Sequence, residues 1–341
     1  MNSNKHILWS ANDPGGMNAI VPVIEALVAR GDIVAGIATG PSRTIAQRKG
    51  LMVTDAEGYS EEDLQTEIVK ASPDVLLAGT SSGDSIDKKI FQLLHGVPSV
   101  YVLDAWSNYA MRFSKQDTDL SYLPGAVCVM DELARQEMIA EGIPMERIHV
   151  TGNPYFEHFT EGITHDREDP RALLFISQPV RQTHGKHYGF DEYSVIADLI
   201  DVIDKLPPDY HLFIRLHPKD SPNKYDAYTS SHVSIASEDT LELSISIAGL
   251  VVGMFSPVLI QAAAAGKKVL SYEPGLIGPD PLATNRIGIT RKVQNKNALY
   301  EVFTEYVAGR YFSVIADVSA LWPRGAVQRI IHVIDDVVST L

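Results

Sequence analysis

The sequence predicts an α/β protein made of two doubly wound halves, each a largely parallel sheet with helices on both faces. Short apolar runs such as HILWS, VLLAG, ALLFIS, LFIRL and GLVVGM alternate with stretches of helical spacing, and that alternation is the signature of parallel sheets. The alternation lapses once, in the polar stretch EHFTEGITHDREDP, and restarts at RALLFISQP. A chain of 341 residues also exceeds the size at which a single hydrophobic core usually stops growing. The expected division is an amino-terminal domain over 1–160, a second domain over 171–324 and a closing segment over 325–341. That closing segment, GAVQRIIHVIDDVVSTL, reads as an amphipathic helix that packs back on the first domain, and the two sheets are expected to face a cleft.

In the first half, KHILWSANDPGGMNAIVPVIEALVARG reads as a strand from His6 to Ser10, a Gly-rich turn and an amphipathic helix from about Met17 to Ala29. The turn carries Asp13, Gly15 and Gly16, and glycines there bring backbone close to a ligand. The GxGxxG spacing of dinucleotide sites is missing, which removes the main support for NAD or FAD; no cofactor is expected. Asp13 reads equally as a general base or as an Asx turn that shapes the loop. IVAGIATG supplies the next strand. SPDVLLAGTSSGDS gives another, followed by a small-residue loop with Ser81, and VPSVYVLD ends at Asp104. The adjoining AWSNYAMRF offers Trp106 and Asn108, a flat apolar face and a hydrogen-bonding group of the kind that meets carbohydrate; aromatics at that spacing also serve as core. GAVCVM is a buried strand, and a further strand runs into VTGNP.

In the second half, RALLFISQP is a strand followed by the basic loop VRQTHGKHYG with Arg181 and His184. DEYSVIADLIDVIDKL has helical spacing, and HLFIRLHPKD is a strand ending in Arg215, His217 and Lys219. GLVVGMFSPVLIQAAAAGKKVLSY reads as strand, tight turn at Gly253, helix capped by Ser256 with Pro257 at its first position, and strand. A helix amino terminus at a strand's carboxyl end suits phosphate. Singly, Ser256 reads as a cap and His217 as a partner for backbone. At two strand ends in one domain, with Lys219 beside them, they read as an anion site.

Twenty-nine basic against 43 acidic residues give a net charge of −14, which argues against nucleic acid or anionic lipid as a general partner. The single cysteine, Cys128, lies in an apolar run and fits a reducing compartment without disulfides. No apolar run reaches the length of a membrane span, and the amino terminus lacks a signal-peptide core. The reading is a soluble cytoplasmic protein with at most peripheral membrane contact. Asp117 and Asp119 have DxD spacing but sit in a polar loop, and no Cys/His cluster points to zinc, so no metal is expected.

These residues resemble the GT-B class of nucleotide-sugar glycosyltransferases and their relatives the UDP-N-acetylglucosamine 2-epimerases. The likeness is carried by the glycine turn Asp13 to Gly16, by VTGNP from Val150 to Pro154, and by SPVLIQAAAAGKKVL from Ser256 to Leu270. It implies two Rossmann-like domains. In that class the last segment holds the donor ribose through a glutamate, whose place is taken here by Gln261, which can bond a hydroxyl but brings no charge. The His217-Pro218 pair and Ser256 are similar to the motifs of bacterial sialyltransferases and of capsule transferases that use CMP-activated acidic sugars, where they hold the donor phosphate.

The resemblance therefore implies a glycosyltransferase, inverting and metal-independent, with Asp13 or Asp104 as base and His217 at the leaving phosphate. Its donor site would comprise Arg181, His184, Arg215, Lys219, Gly253, Ser256, Pro257 and Gln261. Its acceptor side would comprise Gly15, Gly16, Ser81, Asp104, Trp106 and Asn108. The partners are a nucleotide-sugar donor and a carbohydrate or lipid-linked acceptor, with a homodimer as one assembly. A 2-epimerase and a silent nucleotide-sugar-binding protein are the alternatives.

Overall fold

The computed structural model describes residues 4–81, 83–116, 118–238, 240–311, 322 and 324–340. They form two compact units, Met1–His158 with Leu321–Leu341, and Phe159–Ala320.

The first unit runs β1 (His6–Ala11), α1 (Pro14–Arg30), β2 (Ile33–Ala38), α2 (Gly40–Arg48), β3 (Thr54–Asp55), α3 (Glu61–Ala71), β4 (Val75–Gly79), α4 (Ile86–Leu93), β5 (Ser99–Val102), α5 (Tyr109–Arg112), β6 (Ala126–Val129), α6 (Glu132–Ala140), β7 (Ile148–Val150) and α7 (Pro154–Glu161). Among the described residues its sheet has seven strands in the order β3-β2-β1-β4-β5-β6-β7, paired in parallel. Strand order therefore reverses between β1 and β4. In doubly wound sheets the crevice beyond the strand ends at such a reversal is where ligands bind.

The second unit continues β8 (Asp169–Ile176), α8 (Val180–His184), α9 (Glu192–Ile203), β9 (His211–Arg215), β10 (Val233–Ile235), α10 (Leu241–Ile247), β11 (Ala248–Gly253), α11 (Pro257–Ala264), β12 (Val269–Tyr272), α12 (Ala283–Arg286), β13 (Arg291–Val293) and α13 (Lys296–Val307). Its six described strands are ordered β10-β9-β8-β11-β12-β13, again parallel, with the reversal between β8 and β11. The last helix, α14 (Ala326–Ser339), belongs to the first unit. Ile330, Ile331, Val333 and Ile334 enter the core shared with α1, while Asp335 is fixed by Arg30 at 2.9 Å and by Lys5. An apolar stripe on one side and charges on the other is what packs a terminal helix onto a domain.

Three local expectations differ. The Gly15-Gly16 pair is the first turn of α1 and not a loop before it, because Asp13 and Pro14 already supply an N-cap position and a first helical residue. The polar stretch at the division is helical over Pro154–Glu161. Helix α13, with Leu299, Val302, Phe303 and Tyr306 buried at helical spacing, carried a periodic signal that the sequence reading left unused. Cys128 is buried in β6, and burial pushes its thiol up to about 12. Among the described residues no helix is long and apolar enough to cross a membrane.

Candidate functional site

The reversal in the first sheet is built by close backbone contact. A Cβ on Gly16 would stand 2.7 Å from the carbonyl oxygen of Thr80, and one on Gly79 would stand 2.5 Å from the backbone of Gly16. Only glycine at both positions lets the start of α1 abut the end of β4. A Cβ on Gly15 would meet Oδ2 of Asp104 at 1.9 Å. The two glycines thus act through space, drawing Asp13, Thr80, Ser81 and Asp104 to one rim.

There the backbone amide of Asp13 donates to Ser81 Oγ at 3.4 Å, Asn12 donates to Asp13 Oδ1 at 2.9 Å, and Ser42 donates to the Asp13 carbonyl at 3.0 Å. Asp104 Oδ1 accepts from Thr80 at 2.9 Å and from Arg112 at 3.1 Å. Burial nonetheless raises the carboxyl's pKa, and Asp13 adds to the rise. Asn108 is exposed in the left-handed region at φ 56° and precedes α5.

Trp106 lies elsewhere than the expected sugar platform. It is 6% exposed, stacked on Phe156 at 5.9 Å, and its indole N–H donates to Asp131 at 2.9 Å. The ring belongs to an aromatic core that Trp322 completes, since Trp322 also donates to Asp131, at 3.0 Å. Ser82 and Asp117 fall outside the described residues. Asp119, the other half of the DxD pair, is spent on its own loop: it accepts from the amides of Lys115, Gln116 and Ser121, which hold it down at about 2.

In the second unit the tail of β8 joins two arms. Gln178 Oε1 accepts the amide of Phe255 at 3.1 Å, which fixes the residue before the helix cap. Ser177 Oγ donates to Asp220 at 2.6 Å, and Asp220 in turn accepts the amide of His217 at 2.9 Å. The start of α11 and the His217 loop are therefore tied to consecutive residues. Strands β9 and β11 flank β8, so the arms stand roughly 10 Å apart, two strand spacings.

At α11 Ser256 caps Val258 at 3.2 Å with Pro257 following. Gly253 has room for the helix only because its Cβ position lies 3.1 Å from Leu259. The amide of Lys219 donates to His217 Nδ1 at 3.1 Å, which leaves Nε2 as the protonated nitrogen of a neutral ring. Burial lowers the pKa of that ring further. The side chain of Lys219 lines a cavity of about 470 Å³ with Arg181, Tyr193 and Asp220.

Not every expected donor residue reaches this rim free. Arg215 is committed to the carbonyl of Glu238 and to Ser244 Oγ at 3.3 Å. Arg181 pairs with Asp191 at 2.7 Å and lies over the ring of Tyr193 at 4.3 Å. His184 is exposed against Tyr188 and Phe255, 5.1 and 5.9 Å between ring centres. Gln261 is buried with its Oε1 unpartnered.

Sequence reasoning missed the support beneath His217. Lys224 bridges Asp220 at 2.8 Å and Glu192 at 2.9 Å, all three side chains being buried. These pairings raise the pKa of Lys224 and lower that of Asp220, in each case against the burial of the group. Asp220 and Lys224 at i, i+4 in a Ser/Pro/Asn-rich stretch gave no such signal. Among the described residues no three His, Cys, Asp or Glu side chains gather as a metal site.

The largest cavity among the described residues, about 960 Å³, follows β1 and β2 in the first unit. Trp9, Ile24, Val28, Ile33 and Met52 line it, and none of the rim residues named above does.

Comparison with solved structures settles the architecture. UDP-GlcNAc 2-epimerase from Methanocaldococcus jannaschii is 14% identical, with 97% of this chain and 99% of that chain aligned at a TM-score of 0.68. The fold is GT-B. The GT-B proteins it resembles include the Neisseria meningitidis UDP-GlcNAc 2-epimerase bound to UDP-GlcNAc, at 14% identity, 98% and 100% coverage and a TM-score of 0.64. MurG of Acinetobacter baumannii also superposes, at 14% identity, 97% and 99% coverage and a TM-score of 0.63. No protein-family profile and no curated protein matches the sequence.

Proposed function

We propose that this GT-B chain is a glycosyltransferase that takes a sugar from a CMP- or UDP-activated donor and places it on an acceptor hydroxyl, in the making of a cell-surface polysaccharide or glycoconjugate. The observation that carries the reading is the pair of arms at the β8/β11 reversal, where Gln178 fixes the start of α11 and Ser177, through Asp220, fixes His217. Neutral His217, the Ser256 hydroxyl, Lys219 and the helix amino terminus suit the donor's phosphate. Gln261, with an oxygen to spare, suits a ribose hydroxyl.

In this reading the first unit supplies the acceptor and its base. The acceptor oxygen bonds to the anomeric carbon, its proton passes to Asp13, and the bond from that carbon to the phosphate oxygen breaks with its electron pair leaving on the phosphate. Configuration inverts, and the cationic and N–H groups of the second unit meet the departing charge without calling on a metal. Thermal-shift measurements with CMP, CDP, UDP, GDP and TDP test the donor site, since a ligand of the folded state raises apparent stability. Absence of any shift across the panel refutes the reading.

A second reading is favoured by the epimerases among the structural neighbours: the chain turns over UDP-N-acetylglucosamine alone. Incubation with that compound and no acceptor separates the two, because only an epimerase converts it.

A further inference from the structure

Buried polar atoms nearly always find partners, so a group of unpartnered ones marks a place that something else completes. In the second unit six buried side-chain oxygens without a hydrogen-bond partner fall in one stretch of chain: Gln261 Oε1, both carboxyl oxygens of Glu273, Thr284 Oγ1, Asn285 Oδ1 and Thr290 Oγ1. Four of the five residues cluster at the carboxyl end of β12, the strand beside β11, whose own end leads to Ser256.

The hydrogen bonds show how they are gathered. Ser271 Oγ donates to the Met254 carbonyl at 2.7 Å and accepts from Asn285 Nδ2 at 3.0 Å, which fixes the amide and leaves its oxygen over. The carbonyl of Thr284 accepts the amides of Ile289 and Thr290 at 2.8 and 3.1 Å, folding Thr290 back on Thr284. Lys292 binds Asp280 at 2.6 Å and stands 3.5 Å from Glu273 Oε2, a charge contact without a hydrogen bond.

The chemistry of these atoms selects a ligand. Carboxylate and amide oxygens only accept, and the two threonine hydroxyls can also accept. The missing partner must therefore bring several donors, as the hydroxyls of a sugar ring do. A carboxylate on that ring would bring none and would face Glu273 and Asp280 across a single lysine. Resting on the nucleotide-sugar reading above, we propose that the pocket at the end of β12 receives an uncharged, hydroxyl-rich donor sugar and that Glu273 is the residue that rejects a carboxylated one.

The test is calorimetric titration of the full chain at pH 8 with UDP, UDP-glucose and UDP-glucuronate, the two sugars differing only at C6. If another nucleoside diphosphate binds in place of UDP, the same comparison is made on that base. Wild-type protein should bind the uncharged donor more tightly than the bare nucleotide and at least tenfold more tightly than the carboxylated donor. Glu273→Gln should reduce that ratio below threefold while leaving affinity for the bare nucleotide within twofold, which also shows that the variant is folded. Equal affinity for bare nucleotide and nucleotide sugar would mean that the pocket holds water only, and it overturns the inference while the donor reading stands. So does a sugar ratio that Glu273→Gln leaves unchanged. Failure of every nucleoside diphosphate to bind overturns both.

Discussion

A Cβ added to Gly15 would stand 1.9 Å from Oδ2 of Asp104, so one glycine fixes where the buried acid of the first rim can lie. The neighbouring Gly16 faces backbone, at 2.7 Å from the Thr80 carbonyl. A side chain can swing aside and a strand end cannot. Gly16→Ala should therefore destabilise more than Gly15→Ala, by roughly 1 to 3 kcal/mol against less. Denaturant unfolding of both variants checks the order, and equal losses would contradict it.

Asp13 and His217 are expected to fail differently. Asp13→Ala should keep donor affinity and lose turnover, by about a hundredfold or more for a missing general base. His217→Ala should weaken donor binding and turnover together. Calorimetric binding beside a transfer assay separates the two, and an active Asp13→Ala protein removes the proposed base.

The buried Asp220, Lys224 and Glu192 set is stable only when complete. Removing Lys224 as Lys224→Met leaves two buried carboxylates facing each other, an effect on the order of 3 to 5 kcal/mol. Because Asp220 also holds the His217 amide, the same variant should weaken nucleotide binding. Chemical denaturation and titration on one preparation check both.

Burial raises Glu273 from 4.5 to about 7 and Asp87 from 3.8 to about 6. A group whose pKa is higher in the folded state binds its proton more tightly there, so its contribution is complete below the unfolded value and fades as pH rises through the folded one. Stability should fall between about pH 4.5 and pH 7 on this account, by roughly 3 kcal/mol from Glu273. Glu273→Gln should flatten that slope and unfold later at pH 8. A variant with the wild-type profile would show that Glu273 does not titrate in this range.

Asp131 accepts from the indoles of both Trp106 and Trp322 and, through its other oxygen, from the amide of Ala134. Asp131→Leu leaves two buried N–H groups unpaired, each costing on the order of 1 to 3 kcal/mol. Tryptophan emission should shift to the red and the first unit should unfold earlier.

The sequence by itself determined the α/β class, the two parallel sheets, the capped start of α11 and the His217 loop. Those depend on short-range signals: period, caps, and glycine or proline at a turn. The strand reading of HLFIRLHPKD placed His217 and Lys219 at a sheet end before any contact was known. What tertiary structure decided was where long side chains spend their charge. Arg215 turns to the Glu238 carbonyl, Arg181 to Asp191, and Trp106 into a core closed by Trp322, more than two hundred residues along the chain. The oxygens at the end of β12 were likewise invisible, because whether a glutamate or asparagine is satisfied depends on which distant groups surround it after folding. Local backbone preference is written along the chain, and the pairing of buried polar atoms is not.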